Sequence, residues 1–313
     1  MNRRPRIALT AVLAISAGLL TACGSNQPNG GAPTPFDALT TQSAQTTPSP
    51  GTSAAPPKPA RLSAQAAAAK LKVAQRAQVK ADTARFVQSL VVDAQSDGVL
   101  TTRLDGRYRI STRSSEGVMT NTGTGTFATQ LGTANGAVFR IRVIKQNSYL
   151  NVPMWPVKMR HCWMAQTADE VFAAAGLEAK GEATMPAANM ETLMSGAASG
   201  GEGDELTGSV DVLPAVALFG SGVMGKLKRP ESLTGRIPAR FRVGPAGVEK
   251  VTIAGKPLAG VLQRTKQGFT TDGLATIDAM TVTITYSNWR TPVSVQRPPK
   301  SLLLKPTQKT CGP

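Results

Sequence analysis

Along several stretches of this chain apolar and polar residues alternate one by one, and that period of two is what most restricts its fold. Ile237, Ala239, Phe241 and Val243 alternate with Pro238, Arg240 and Arg242. Phe139, Ile141 and Val143 alternate with Arg140 and Arg142, and Val282, Ile284 and Tyr286 with Thr281, Thr283 and Thr285. Successive side chains of a strand point to opposite faces, so these segments read as half-buried antiparallel strands, one face on a core and the other in water. Further strands are expected at residues 103–112, 118–130, 206–212, 248–253 and 258–264, separated by Gly-containing turns, with a continuous meander as the economical connection. Residues 86–92 fit either the end of a helix or a first strand, and their β-branched content favours strand.

Helical signals flank and interrupt this pattern. Residues 61–81 are rich in Ala, Gln, Lys and Arg, lack Gly and Pro after Leu62, and have Ser63 as an N-cap. The larger apolar residues there, Leu62, Leu71, Val73 and Val79, are too sparse for a wide core stripe, so this helix is expected to be partly exposed or to pack edge-on. Three more helices are expected in the middle of the chain. Residues 167–177 carry Asp169 and Glu170 where they suit a helix N-terminus. Residues 187–198 place Met190, Leu193 and Met194 at helical spacing, and residues 214–227 contain Val216, Phe219, Val223 and Met224. The expected fold class is α+β: a curved antiparallel sheet with several helices on one side.

The N-terminus has a different character. Arg3, Arg4 and Arg6 precede an uninterrupted run from Ile7 to Leu20 with nothing more polar than Thr and Ser, which is the charged and apolar plan of a signal peptide. The run falls short of the roughly 20 apolar residues needed to span a bilayer. Leu20, Thr21, Ala22 and Cys23 then look like the lipobox of bacterial lipoproteins. That resemblance implies cleavage after Ala22, lipid on Cys23, and a place on the outer face of the cytoplasmic membrane; two or more acyl chains give stable anchoring where one does not. The competing reading is an ordinary secretory signal that happens to contain a Cys. Residues 24–60 are mostly Pro, Thr, Ser, Gln, Gly and Ala with only Phe36 and Leu39 as larger apolar residues, a composition that reads as a flexible tether. The expected organisation is therefore a signal peptide at 1–22, a lipidated tether at 23–60 and a single folded domain at 61–313.

Of 35 basic residues, removing Arg3, Arg4 and Arg6 leaves 32 against 19 acidic ones. Outside the membrane such a chain faces anionic lipid heads and wall polymers, although a generally solvated basic surface accounts for the same count. Export and the lack of any known nucleic-acid-binding motif argue against nucleic acid as a partner. Of the three Cys, Cys162 and Cys311 remain once Cys23 is lipidated, an even number in an oxidising compartment. They are expected to pair, with a loop-closure stabilisation of roughly 4 to 5 kcal/mol; two free thiols are the alternative, because sequence does not bring their Cα atoms together.

This order of strands, helices and strands behind a lipobox and tether resembles the LolA-like actinobacterial lipoproteins of the LppX and LprG type. Tyr149, Leu150, Pro153 and Trp163 look like that family's "YL..P....W" segment, and residues 189–198 like its short Leu-containing helix. TVTITYSNWRTPVSVQRP, from Thr281 to Pro298, looks like its closing hairpin, with Trp289 and Arg290 where the family has Gly. The resemblance implies a half-barrel whose concave face, with helices packed on it, encloses an apolar cavity for acyl chains. Phe139, Ile141 and Phe241 would then face the cavity, and Leu218, Phe219, Val223 and Met224 would form its lid. Plain core packing fits the same alternation. The Met residues between Met154 and Met224 suit varied apolar ligands, as they also suit gaps in a core.

Catalytic chemistry is hard to find. The single histidine, His161, adjoins Cys162, and no G-x-S-x-G elbow accompanies it. No His or Cys cluster has metal-ligand spacing, Glu202, Asp204 and Glu205 lack the alternation of a calcium loop, and no cofactor motif is present. The leading expectation is a membrane-anchored, non-catalytic carrier of an apolar ligand, a lipid or lipoglycan. The rival is a scaffold lipoprotein that engages anionic wall polymers or a membrane protein through its basic surface.

Overall fold

The computed structural model describes residues 60–132, 135–145, 147–152, 157–167, 190, 192–304 and 311. The expected signal peptide, Cys23, nearly all of the tether, Pro153, and the expected helix at 167–177 beyond Thr167 lie outside the described residues. Among the described residues the strands are β1 (Arg61–Leu62), β2 (Thr83–Asp93), β3 (Val99–Arg109), β4 (Ser114–Gly123), β5 (Val138–Ile144), β6 (Asn147–Asn151), β7 (Met164–Thr167), β8 (Ala197–Glu202), β9 (Glu205–Asp211), β10 (Arg236–Gly244), β11 (Gly247–Ala254) and β12 (Met280–Ser287). They form one unclosed, curved antiparallel sheet in the order β1-β8-β9-β10-β11-β12-β2-β3-β4-β5-β6-β7.

One register row shows how the alternation makes a core. Leu206, Phe241, Val251, Ile284, Gln88, Leu104, Met119 and Phe139 are successive Cα partners from β9 to β5. All but Gln88 are apolar. Because the side-chain period is two, fixing this row fixes the facing of every strand it crosses: Ile237, Ala239, Val243, Val282 and Tyr286 turn inward with it, and Arg240, Arg242, Thr283 and Thr285 turn out. The inward set is buried, with Phe241 and Val282 fully inaccessible.

Helix residues share the core with this inner face. They come from α1 (Ala64–Ala81), α2 (Gly125–Leu131), α3 (Val212–Leu218), α4 (Ser221–Met224), α5 (Gly255–Arg264) and α6 (Thr271–Asp278). Residues of all six join the inner-face side chains in one main core, among them Leu71, Phe127, Val216, Val223, Leu258 and Ile277. The Ser63 hydroxyl accepts from Ala66 N–H at 3.2 Å and starts α1. That helix buries more than its few large apolar residues suggest, because its buried stripe is Ala67, Leu71, Ala74, Gln75, Gln78 and Ala81. The alanines allow close approach to the sheet. The Gln75 side-chain amide donates to the carbonyls of Leu193 at 2.8 Å and Gly196 at 3.1 Å, which offsets its burial. Val73 and Val79 are the exposed ones.

Several local expectations are corrected. Residues 258–264 are not a strand but the body of α5: Leu258, Val261 and Leu262 stand at i, i+3 and i+4 and are all buried, and Pro257 sits in the first turn where its missing N–H costs nothing. The strand expected at 118–130 ends at Gly123, and α2 follows with Phe127 and Leu131 buried four residues apart. Of the helix expected at 187–198, residues 187–189 and 191 lie outside the described residues, 190 and 192–194 are helical, and β8 begins at Ala197. Residues 214–227 form two short helices, α3 and α4, parted at Gly220 with φ 98°. The sheet is not one continuous meander. It is two, β2 to β7 and β8 to β12, joined where β12 pairs with β2. The closing hairpin has no second strand, since residues 288–299 pair with no strand and Pro292, Pro298 and Pro299 bring no amide donor.

Candidate functional site

The outer face of the sheet is crossed by the end of the chain. After β12 the backbone of Arg290 donates to the Thr83 carbonyl at 3.1 Å. Further on, Arg142 Nη1 donates to the Gln296 carbonyl at 3.2 Å and Arg297 Nε to the Tyr149 hydroxyl. Leu302 and Leu304 then bracket Trp163 with two backbone hydrogen bonds of 2.8 Å. Beyond them Cys311 is bonded to Cys162, with Cα atoms 5.7 Å apart. The segment 288–304 is therefore a strap lying over the outer face from β2 to β7. It explains why Tyr149, whose register facing is outward, is nonetheless buried.

Beside the strap lies an open groove of about 410 Å3. Its floor is the outer face of β2 to β5, its charged lining is Arg85, Arg107, Arg140, Arg142, Asp105 and Glu116, and Trp163, Thr291 and Val293 form walls. The carboxylates are shared: Asp105 meets Arg85 at 2.6 Å and Arg103 at 3.4 Å, and Glu116 meets Arg107 and, at 3.4 Å, Arg142. The two hydrogen bonds from Arg85, aided by Arg103, hold the Asp105 carboxyl below the usual range although partial burial opposes this. The guanidinium of Arg142 also lies over the Trp163 ring, 4.8 Å from its centroid. The Arg140 side chain is exposed and makes no ion pair or hydrogen bond with another described residue.

The inner face of β4 to β7 is different. Gly117, Ile141, Leu150 and Met164 are successive Cα partners. Ile141, Leu150 and Met164, with Met119 in the neighbouring row, are only half-buried. They lie between the main core and a second, smaller one made of Phe139, Val152, Cys162 and Cys311; Met119 touches both.

The residues proposed from sequence for ligand binding are distributed over these regions. Phe139 and Phe241 face inward on one row but belong to different clusters, six strands apart, and each is fully buried. Leu218, Phe219 and Val223 are buried in the main core, against which Met224 packs. Ile141 alone belongs to the half-buried strip, and it also borders the groove from its floor. The arginines, Asp105 and Glu116 were not singled out in the sequence as a site. Alternation placed Arg140 and Arg142 on the wet face, but gathering them with Arg85 and Arg107 takes the β2 to β5 register.

A few polar groups are buried in the inner layer. The Gln78 amide donates to the Tyr108 hydroxyl at 3.2 Å, and burial pushes the Tyr108 phenol up to about 12. Tyr286 packs edge-on to Tyr108 with ring centroids 6.3 Å apart, and its phenol is pushed well above the ordinary value by burial. Its hydroxyl has no hydrogen-bond partner among the described residues, nor has Gln88 Oε1. His161 is exposed, and its ring nitrogen and the two sulfurs of the bridge lie within 4.8 Å of one another. A disulfide offers no thiolate, so this trio is not a metal centre as it stands. Among the described residues no helix is long and apolar enough to cross a membrane.

No family model matches the chain, and no curated protein matches it. Among solved structures it is similar to a LolA superfamily protein from Nitrosomonas europaea, with 8% identity and a TM-score of 0.24 over 78% of this chain and 98% of that one. A likeness of that size carries no argument about ligand or activity. The class of fold rests on the strand order and on the helix residues that share the main core with the sheet.

Proposed function

We propose that this is a non-catalytic binding protein of the cell envelope, anchored through lipid on Cys23, that carries an apolar ligand such as a lipid or lipoglycan acyl chain on the inner face of its sheet. The observation that supports this reading is the half-buried strip of Met119, Ile141, Leu150 and Met164 between the two clusters. A folded domain gains most by burying such side chains completely, and apolar surface left partly open between two packed regions is suited to an apolar guest. The two methionines add adaptability to guests of different shape. The seven ligand-contact residues expected from sequence narrow to Ile141 in this reading, with Phe139 and Phe241 as the packed ends of the inner face. The finer placement in the LppX and LprG group is part of the same proposal, and so is the location on the outer side of the cytoplasmic membrane.

Native mass spectrometry of the chain expressed from residue 24 in a related host, followed by organic extraction, tests it. A stoichiometric adduct that extracts as lipid, and that Ile141→Asp abolishes without unfolding the protein, is the expected result. A mass equal to the bare polypeptide after incubation with envelope lipids would overturn the carrier reading.

The rival reading, an interaction lipoprotein for anionic wall polymers or a membrane protein, is favoured by one observation of its own: the outer face presents Arg85, Arg103, Arg107, Arg140, Arg240 and Arg242 together. Binding through that face weakens as salt rises, whereas uptake of an apolar chain does not.

A further inference from the structure

We propose that the groove beside the C-terminal strap is a defined site for an organic phosphodiester, recognised through Arg140 and Arg142. On β5 these two residues stand at i and i+2, so both guanidiniums rise from the outer face, roughly 7 Å apart at the backbone. They differ in what holds them. Arg142 is fixed on three sides, by the Trp163 ring at 4.8 Å, the Gln296 carbonyl at 3.2 Å and Glu116 at 3.4 Å. The side chain of Arg140, exposed at the rim, has neither an ion pair nor a hydrogen bond with another described residue; directly across from it in register are Val118 and Asn151. Among the described residues the site thus pairs one pre-positioned guanidinium with one that has no side-chain partner.

The charge count favours an anion. Among the described residues four arginines line the groove against two carboxylates, Asp105 is further shared with Arg103, and Glu116 is divided between Arg107 and Arg142. A phosphodiester has two anionic oxygens to offer, one to each guanidinium, in the charge-assisted hydrogen bonds by which arginine recognises phosphate. The groove, about 410 Å3, is larger than a bare phosphate needs, and Val118, Ile141 and Val293 line it with apolar surface. Both features suit a phosphate that carries an organic group on each side. The strap contributes Thr291 and Val293 to the wall and fixes Arg142 through Gln296, so the site is complete only when the strap is seated.

This inference sharpens the rival reading of the basic outer face and is independent of the apolar strip on the opposite side of the sheet. The test is titration calorimetry of the full chain with the water-soluble diester glycerophosphoglycerol and with inorganic phosphate. Saturable, salt-sensitive binding of the diester is expected, weakened about tenfold or more in Arg140→Gln and partly retained in Arg140→Lys. The Arg140 side chain is exposed and makes no ion pair or hydrogen bond with another described residue, so neither variant should change the melting temperature much. No saturable binding of the diester, or binding that Arg140→Gln leaves unchanged, would overturn the site. Inorganic phosphate binding as tightly as the diester would overturn the organic part of the assignment. Salt-sensitive capture of an anionic wall polymer that is the same in wild type and Arg140→Gln would leave the basic-surface reading standing while removing the groove from it.

Discussion

Cys311 is bonded to Cys162 from 149 positions away in the chain, and that bond fastens the far end of the strap beside the edge strand β7. A loop of this length carries a loop-closure stabilisation of roughly 4 to 5 kcal/mol in the chain-entropy account. Reduction, or Cys311→Ser with Cys162→Ser, should lower the denaturant midpoint by a corresponding amount without changing the sheet's far-UV signature. Amide exchange should rise first at Trp163 and Leu304, the two N–H donors of the hydrogen bonds that the bridge supports. Equal stability of the reduced and oxidised protein would mean that the strap is held by its own contacts.

Gly106 makes a second, more local prediction. It lies opposite Phe86 and Gly117 in register, and a Cβ built on it comes within 2.6 Å of the Glu116 carbonyl oxygen and 3.0 Å of the Phe86 ring. The carbonyl belongs to the neighbouring strand and cannot swing away. Gly106→Ala is therefore expected to cost about 1 to 3 kcal/mol, and pairing it with Phe86→Leu should recover little, because the backbone contact persists. At Gly117 the nearest atoms are all at 3.0 Å or beyond, so Gly117→Ala should be milder. Denaturation of the two alanine variants and the double variant separates the two causes.

The strands most visible in the sequence were those whose two faces meet different media. At β10 the inward Ile237, Ala239, Phe241 and Val243 are buried and the outward Arg236, Pro238, Arg240 and Arg242 exposed, so chemistry and geometry carry the same period. At α5 the apolar Leu258, Val261 and Leu262 occupy a segment too short to separate a strand from a helix by composition, and packing on the core decided for helix. The pairing of β12 with β2, which turns two meanders into one sheet, joins segments about two hundred residues apart and has no local sign. The candidate sites follow the same logic. Ile141 was legible because it alternates with arginines, whereas the groove is assembled across four strands and a strap, a matter of register that no single segment contains.

Asp82 joins the end of α1 to the β3–β4 turn and gives a pH-dependent prediction. Its carboxylate accepts from the Ser111 backbone N–H at 2.7 Å, the Ser111 hydroxyl at 2.9 Å and Arg109 Nε at 3.0 Å. Burial alone would raise its pKa, but these bonds together outweigh burial and lower it. With the folded pKa depressed, the contribution is present above the unfolded value near 3.9 and is lost as pH falls through the folded value. Asp82→Asn should lower stability at neutral pH and flatten this acid limb. Asp82→Ala should cost more, about 1 to 3 kcal/mol, because it leaves the Ser111 donors unmet and places an alanine at φ 64°. Denaturant midpoints for the three proteins across the acid range check both the order and the slope.

Tyr108 and Tyr286, which touch edge-on, should respond in opposite directions to loss of the hydroxyl. Tyr108 accepts from Gln78, so Tyr108→Phe leaves that buried amide only the weak acceptor Met190 Sδ at 3.8 Å and is expected to cost about 1 to 2 kcal/mol. The Tyr286 hydroxyl is buried without a partner among the described residues, and removing it frees the fold from a desolvation cost. Tyr286→Phe should therefore be neutral or stabilising by up to about 1 kcal/mol. The same burial has an alkaline signature. Both phenols have folded pKa values raised above the unfolded 10, so the stability they contribute is whole below pH 10 and is lost as pH climbs through the folded values, for Tyr108 about 12. In the native protein tyrosinate absorbance from these two residues should therefore appear only well above pH 10, together with unfolding, and Tyr286→Phe should make that alkaline transition shallower. Early ionisation of both, or a clear loss of stability in Tyr286→Phe, would show that water or a polar ligand group reaches the Tyr286 hydroxyl, and would turn that residue from a cost of the fold into a contact of the inner face.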